Sequence, residues 1–214
     1  MNRISLRSWI SAIIVMAIIG EIFYFSAPII CNNLEQNGMA RETLTHLYFY
    51  IATLLAIIDS FCSLMAGMQM IRSDCEKSLA KLGGWILVSK AIISILYAIP
   101  ACMAKCKFMV EPNVFIGWSR AIILTLLSCS FFVVIARHYK KNDMLSMAIT
   151  YIIIAIATRG HEAWIVFGEE QAHGHIAMYV LYSLLRTITA LICLCKWWKW
   201  EKLAETQKHP VIVA

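Results

Sequence analysis

The chain has 214 residues, of which 60% are hydrophobic and only 15% are charged. Its mean hydropathy is +0.70. These values exclude an ordinary soluble domain and are typical of an integral membrane protein. The net charge of +6 comes mainly from basic residues beside the apolar segments, which indicates contact with anionic lipid headgroups and argues against nucleic-acid binding.

Six apolar segments are each near the roughly 20 residues that an α-helix needs to cross a bilayer. The connections between them are short and polar, and none is long enough to form a soluble domain. The sequence therefore predicts an all-α fold in which residues 1–214 form a single bundle of six transmembrane helices. The predicted spans are residues 9–30, 44–71, 82–104, 114–136, 144–167 and 176–195.

The first span follows Arg3 and Arg7, as the apolar region of a secretory signal would. It is longer than such a region, contains Glu21, and ends at SAPIIC without a small-x-small cleavage pattern. We therefore expect this segment to be retained as a helix.

The second and third spans carry one charged residue each, Asp59 and Lys90. In a helix, Ala52, Ala56 and Ser63 share the face of Asp59. Such a stripe of small residues allows another helix to approach closely. We therefore expect Asp59 to face a neighbouring helix.

The last three spans contain further charged residues. Arg120 lies in the fourth span and Arg186 in the sixth, whereas the fifth contains Arg159, His161 and Glu162 within the sequence ATRGHEAW. Arg159 and Glu162 are three residues apart, a spacing that allows a local ion pair on a helix.

These charged residues predict a polar interior. A charged side chain at a helix centre costs roughly 2.5–3.5 kcal/mol on insertion scales, so it is expected to face the bundle interior. By depth, Glu21, Asp59 and Arg186 lie near mid-membrane, and Lys90 lies slightly closer to the side of the termini. These four residues would form the floor of a cavity that is open to the outer side. The predicted substrate or ion path consists of Glu21, Asp59, Lys90, Arg120, Arg159, His161, Glu162 and Arg186.

Three functions are compatible with this pattern. The first is a transporter of a small solute or ion, or the membrane component of one, because intramembrane charges commonly mark such paths. The second is a non-catalytic membrane subunit or sensor whose buried ion pairs only fix the helices. The third is a haem- or metal-bearing membrane anchor of a redox complex, for which four histidines near the outer side are the metal-ligand candidates: His46, His161, His173 and His175.

Motifs for metal binding and catalysis are incomplete. The sequence HEAWI lacks the second histidine of HExxH, because position 165 is Ile. The sequence GWSRA lacks the closing glycine of GxSxG, and a phosphate-binding loop and a dinucleotide fingerprint are both missing. We therefore predict no enzyme activity and expect no cofactor outside the haem or metal alternative.

The basic residues predict the orientation of the chain. Of the 19 Lys and Arg residues, four lie within the predicted spans, twelve beside the ends on the side of the termini, and three beside the opposite ends. Since basic residues resist translocation, both termini are predicted to be cytoplasmic, in a plasma or inner membrane. The tail KWWKWEK, residues 196–202, has the Trp and Lys composition of a membrane interface.

The lipid bilayer is one predicted partner, and a partner membrane subunit or a second copy of the chain is also compatible with the sequence. The eight cysteines show no zinc-type spacing. Cys31, Cys102 and Cys106 fall on the outer side, so a disulfide from Cys31 to either of the others is an open alternative.

Overall fold

A computed structural model of the chain describes residues 5–72, 78–105, 114–167 and 173–208. These residues form six α-helices, each long and apolar enough to cross a membrane. The predicted all-helical fold with six apolar helices is therefore confirmed. The helices are α1 (Leu6–Gln36), α2 (Arg41–Arg72), α3 (Ser78–Lys105), α4 (Val114–Tyr139), α5 (Asn142–Phe167) and α6 (His173–Lys208).

Each helix is longer than the span predicted for it, and α6 shows the largest difference. It has 36 residues, a length of about 54 Å at 1.5 Å per residue, whereas a bilayer's hydrocarbon core is about 30 Å thick. Residues 196–208 are rich in Lys, Trp and Glu. The hydropathy falls there and ends the predicted span at residue 195, but several of these residues favour helix and the helix continues.

The end of α1 is formed by a glycine in the left-handed region. Gly38 has φ +91°. The Gly38 N–H donates to the Glu35 carbonyl at 3.0 Å, and the Met39 N–H donates to the Leu34 carbonyl at 3.1 Å. These are the two hydrogen bonds of a Schellman motif, in which glycine avoids the steric cost of a side chain. The motif allows the short connection from α1 to α2.

The helices close into a ring in chain order. Each helix packs against the next, α1 also packs against α6, and α4 touches α6 across the bundle. Neighbours in the ring are antiparallel, as two aromatic contacts between α1 and α2 show. Phe23 stacks on Tyr48 with ring centroids 5.3 Å apart, and Trp9 meets Phe61 at 5.9 Å.

The outer surface of the ring is apolar. On α1, for example, Val15, Ile18, Ile22 and Ile29 are all more than 40% exposed. They recur at the three- or four-residue spacing of one helix face. Such a surface is compatible with an integral membrane protein, in which acyl chains would contact these side chains.

Apolar side chains close the bundle at the end nearest the two termini. This cluster includes Ile10 on α1, Met70 on α2, Ile135 on α4 and Trp197 on α6. Trp197 is completely buried, and its ring centroid lies 5.0 Å from that of Phe131. Because these side chains fill one end of the bundle, a cavity can form in its middle.

The tryptophans of the tail are divided between the core and the surface. Trp197 belongs to the core, whereas Trp198 and Trp200 lie under cationic groups. The Arg7 guanidinium is 5.9 Å from the Trp198 ring centroid, and the Lys141 ammonium is 4.1 Å from the Trp200 ring centroid. The interface composition predicted for KWWKWEK therefore fits Trp198 and Trp200 but not Trp197, because neighbouring helical positions point about 100° apart.

Helices α2 and α3 form the most extensive interface of the ring, and two glycines let their backbones meet. A Cβ atom added to Gly67 would lie 2.7 Å from the Gly84 carbonyl oxygen, and one added to Gly84 would lie 2.7 Å from the Gly67 oxygen. Ala66, next to this contact, is fully buried. Small residues thus permit close packing here. This contact is at Gly67, whereas Ala52, Ala56 and Ser63, where the sequence predicts the approach of another helix, face a cavity.

We expect Gly84→Ala to destabilise the protein by about 1–3 kcal/mol, the usual cost of overpacking a tight interface. Gly160→Ala is the matched control, because a Cβ at Gly160 meets nothing within 4 Å. The control should be neutral or stabilising by up to about 1 kcal/mol, as alanine favours helix more than glycine does. Thermal unfolding in lipid nanodiscs, followed by tryptophan fluorescence, measures both. Equal melting temperatures for the two variants would contradict the close approach.

Candidate functional site

A cavity of about 400 Å³ lies inside the ring, and all six helices contribute to its wall. Most of the wall is apolar or aromatic, and includes Phe23, Tyr48, Phe132 and Trp197. Pockets that bind small molecules are typically about 300–1,000 Å³, with a mostly apolar lining and a few polar groups. The size and lining of this cavity fit that class.

Four of the eight predicted path residues lie in the wall of the cavity. They are Glu21 from α1, Asp59 from α2, Lys90 from α3 and Arg186 from α6. These are the four that the sequence places near mid-membrane. All four belong to the described residues, and no direct ion pair joins any two of them. Two acidic and two basic side chains therefore surround one space without neutralising one another by contact.

Glu21 has a hydrogen-bond partner on α6. The Thr187 hydroxyl donates to Glu21 Oε1 at 2.5 Å, and the same hydroxyl lies 3.2 Å from the Ser183 carbonyl oxygen on its own helix. A hydroxyl carries a single hydrogen. Thr187 can therefore bond to α1 or to its own helix, and the bond to Glu21 joins the two helices.

Two buried donors in the cavity wall have no acceptor in the described part of the chain. They are the Ser63 hydroxyl and the Trp197 indole N–H, on side chains that are at most 1% exposed. A buried polar group without a partner costs about 1–3 kcal/mol.

Arg159 and Glu162 pair with each other. Their direct ion pair on α5 has the three-residue spacing from which the sequence predicts it, and both side chains are partly buried. Neither residue belongs to the cavity wall. A local pair of this kind reduces the cost of two charges in an apolar helix.

Arg120 and His161 lie on aromatic rings outside the cavity wall. The Arg120 guanidinium is 4.2 Å from the centroid of Tyr97, and this contact links α4 to α3. His161 stacks on Tyr182 with ring centroids 5.4 Å apart, which links α5 to α6. A cation over an aromatic face is stabilised by the ring quadrupole. These two predicted path residues therefore contribute to contacts between helices.

The histidines proposed as metal ligands are not brought together. The ring of His46 packs against Tyr50 at 6.5 Å, and His161 packs against α6. The side chains of His173 and His175 lie outside the described part of the chain. Within residues 5–72, 78–105, 114–167 and 173–208, no group of three or more His, Cys, Asp or Glu could hold a metal ion.

The outer cysteines are not cross-linked where the structure describes them. Cys31 and Cys102 are both free thiols, so the disulfide considered between these two does not form. Cys106, the other candidate partner, lies outside the described residues.

Two functional candidates in α6 are visible only in the structure. Thr187 is not found from the sequence because its partner Glu21 is 166 residues away. Trp197 is assigned from its composition to the membrane interface, but it lies in the cavity wall. Its spacing of eleven residues from Arg186, three helical turns, could have indicated that both face the same side.

Comparisons with known proteins place no constraint on the function of this site. No family model matches the chain, and no curated protein or solved structure matches it. The functional argument therefore depends on the cavity and on the side chains that line it.

We expect Asp59→Asn to lower the yield of folded protein, and Lys90→Met to restore it when added. Lys90 is the basic group that acts electrostatically on the Asp59 carboxyl. Removing one charge leaves the other unbalanced, at a cost of roughly 2.5–3.5 kcal/mol on insertion scales. Fluorescence-detected size-exclusion chromatography measures the folded fraction.

The control for this pair is Lys196→Met combined with Asp59→Asn. Lys196 pairs with Asp143 at 2.5 Å and does not line the cavity, so its removal should rescue nothing. If Lys90→Met rescues no better than Lys196→Met, Asp59 and Lys90 do not balance each other.

Proposed function

We propose that this chain is an integral membrane protein that binds a small charged or zwitterionic solute in its central cavity and transfers it across the bilayer. It does so alone or as the membrane component of a larger transporter. The termini face the cytoplasm, in a plasma or inner membrane, and the excess of basic residues on that side supports this orientation.

The observation that carries the proposal is the convergence of four ionic side chains on one cavity without a direct ion pair among them. Charges that only hold helices together would be expected to pair directly, because an isolated charge in an apolar interior is costly. Arg159 and Glu162 pair in this way. The cavity residues do not, and water or a charged ligand in the cavity can solvate them.

The packing also supports access from one side. Ile10, Met70, Ile135 and Trp197 belong to the apolar cluster that fills the end of the bundle nearest the termini. A solute therefore reaches the cavity from the opposite end or from the side of the bundle. With cytoplasmic termini, this arrangement corresponds to an outward-facing state.

The second candidate function is a subunit whose charges are purely structural. Only the charged residues outside the cavity wall support it. Arg120 on Tyr97 and the pair Arg159–Glu162 have such roles. This division assigns a stabilising role to Arg120, Arg159 and Glu162. It assigns ligand binding to Glu21, Asp59, Lys90 and Arg186.

Access of water to the cavity can be measured with introduced cysteines. We expect A56C, in the cavity wall, to react with a charged methanethiosulfonate reagent added to the side opposite the termini. I153C is the control, because Ile153 is 64% exposed on the outer face of α5 and acyl chains would exclude the reagent. Peptide mass spectrometry separates the new thiol from the native ones. If A56C reacts only after denaturation, the cavity is dry and the proposal is wrong.

Ligand binding can be tested with three small probes: glycine betaine, choline and inorganic phosphate. We expect the zwitterion glycine betaine to raise the thermal stability most, because the wall offers charges of both signs. A ligand at about 100 times its Kd stabilises by about 2.7 kcal/mol. Arg186→Gln should abolish the effect, whereas Arg137→Gln, at an exposed position near the end of α4, should not.

Uptake of radiolabelled glycine betaine into proteoliposomes, with the same two variants, then measures transfer. Stabilisation by none of the three probes, or equal stabilisation of wild type and Arg186→Gln, would contradict a ligand site in this cavity.

A further inference from the structure

We infer that the ligand of the cavity is a membrane lipid with a zwitterionic headgroup, and that it enters sideways from the bilayer between α1 and α6. This inference rests on the proposed function, since it names the ligand class and the entry route of the same cavity.

An apolar groove runs along the outside of the seam between α1 and α6. It has a volume of about 500 Å³ and is lined mainly by Ile, Leu and Phe side chains, among them Ile18, Ile22 and Ile188. In a bilayer this groove faces the acyl chains. Its shape and lining suit one hydrocarbon chain lying along the two helices.

The groove and the central cavity share part of their walls. Glu21, Thr187 and Leu191 line both spaces. The hydrogen bond from Thr187 to Glu21, 2.5 Å long, therefore stands between the bilayer side and the charged interior. A headgroup that passes this hydrogen bond moves directly from one space into the other.

The seam between α1 and α6 is also the weakest in the ring. These two helices have the least buried apolar windows of the six, and their interface is the least extensive between ring neighbours. Thr187 can transfer its hydrogen from Glu21 to the Ser183 carbonyl, 3.2 Å away on its own helix. When the seam opens, the Thr187 hydroxyl therefore keeps an acceptor, and the Glu21 carboxylate that loses this donor is left to water or a headgroup in the cavity.

The two spaces together select the ligand. The cavity offers acids and bases that are not paired with one another, and these suit a headgroup with a phosphate and an ammonium group. The groove is lined mainly by apolar side chains. A small polar solute would leave the groove unused, and an apolar molecule would leave the charges unsolvated, so a zwitterionic lipid uses both.

The first experiment tests the hydrogen bond at the seam. In the A56C background, the reagent is a phosphatidylethanolamine whose headgroup amine carries a maleimide, dissolved in the bilayer of proteoliposomes. This lipid is anionic, so it tests the lateral route and not the preference for a zwitterion. Thr187→Val removes the bond to Glu21 and should raise the labelling rate of A56C by up to about tenfold, the factor equivalent to part of one charge-assisted hydrogen bond.

Thr189→Val is the matched control, because the Thr189 hydroxyl bonds only to carbonyls of its own helix, those of Leu185 and Arg186 at 2.9 Å. It should leave the rate unchanged. Equal rates in Thr187→Val and wild type, with A56C accessible to the small charged reagent, would overturn the lateral route and leave the cavity intact.

The second experiment locates the hydrocarbon chain. Lysophosphatidylcholine with a diazirine on its acyl chain is cross-linked to the full-length protein in proteoliposomes, and the sites are mapped by mass spectrometry. We expect cross-links at Ile18, Ile22 and Ile188 that excess unlabelled lysophosphatidylcholine removes. Cross-links at Ile153 and Ile156, on the exposed face of α5, should persist, because bulk lipid contacts that face without saturation.

The outcomes separate this inference from the proposed function. If glycine betaine binds in an Arg186-dependent manner but the groove cross-links do not saturate, the ligand is a water-soluble solute and the lipid inference is wrong. If the groove cross-links saturate in wild type and Arg186→Gln alike, the headgroup does not reach the cavity, and the inference is also wrong.

Discussion

The cost of placing an ionic side chain in hydrocarbon determines how the helices of this chain are oriented. Each such group costs roughly 2.5–3.5 kcal/mol at a helix centre on insertion scales, which exceeds the gain from most single contacts. With Glu21, Asp59, Lys90 and Arg186 turned to the interior, the rotation of four helices about their own axes is fixed, and the Ile and Leu residues on the opposite faces point outwards. Helix α5 meets the same constraint with a local ion pair, and α4 meets it with an aromatic ring.

Small residues have two different effects in this bundle. At Gly67 and Gly84 they let two backbones touch, so α2 and α3 are held together at the end nearest the termini. At Ala52 and Ala56, one to two turns from Asp59 on the same helix, they leave space that the cavity occupies. Protein interiors are otherwise filled to near crystal density, so a cavity of this size requires large side chains to be missing from several walls at once. The cavity is therefore a consequence of where alanine stands in α2, as well as of the charges.

The sequence could predict the features of this structure that depend on a single helix. Length and hydropathy predict six helices, and a spacing of three residues predicts the pair Arg159–Glu162. The inward orientation of the mid-membrane charges is also predictable, because its cost does not depend on the partner. The ring order, the hydrogen bond from Thr187 to Glu21 and the burial of Trp197 depend on how helices distant in sequence pack together. Depth along the spans already separates the four cavity residues from the other four, but a periodic pattern contains no information on the packing that sets Arg120 on Tyr97 or His161 on Tyr182.

The proposed lateral opening depends on the position of Thr187 between two acceptors. A hydrogen bond to a charged acceptor contributes about 1.5–3 kcal/mol, and one to a neutral carbonyl about 0.5–1.5 kcal/mol. Transfer of the Thr187 hydrogen from Glu21 to Ser183 therefore costs on the order of 1 kcal/mol for this hydrogen bond alone. A direct salt bridge at this seam, buried and without an alternative partner, would hold it closed far more of the time, since breaking a buried pair costs about 3–5 kcal/mol. In the proposed lateral route, a hydroxyl with two acceptors within reach thus suits a seam that keeps acyl chains out of the charged cavity and opens to admit a headgroup.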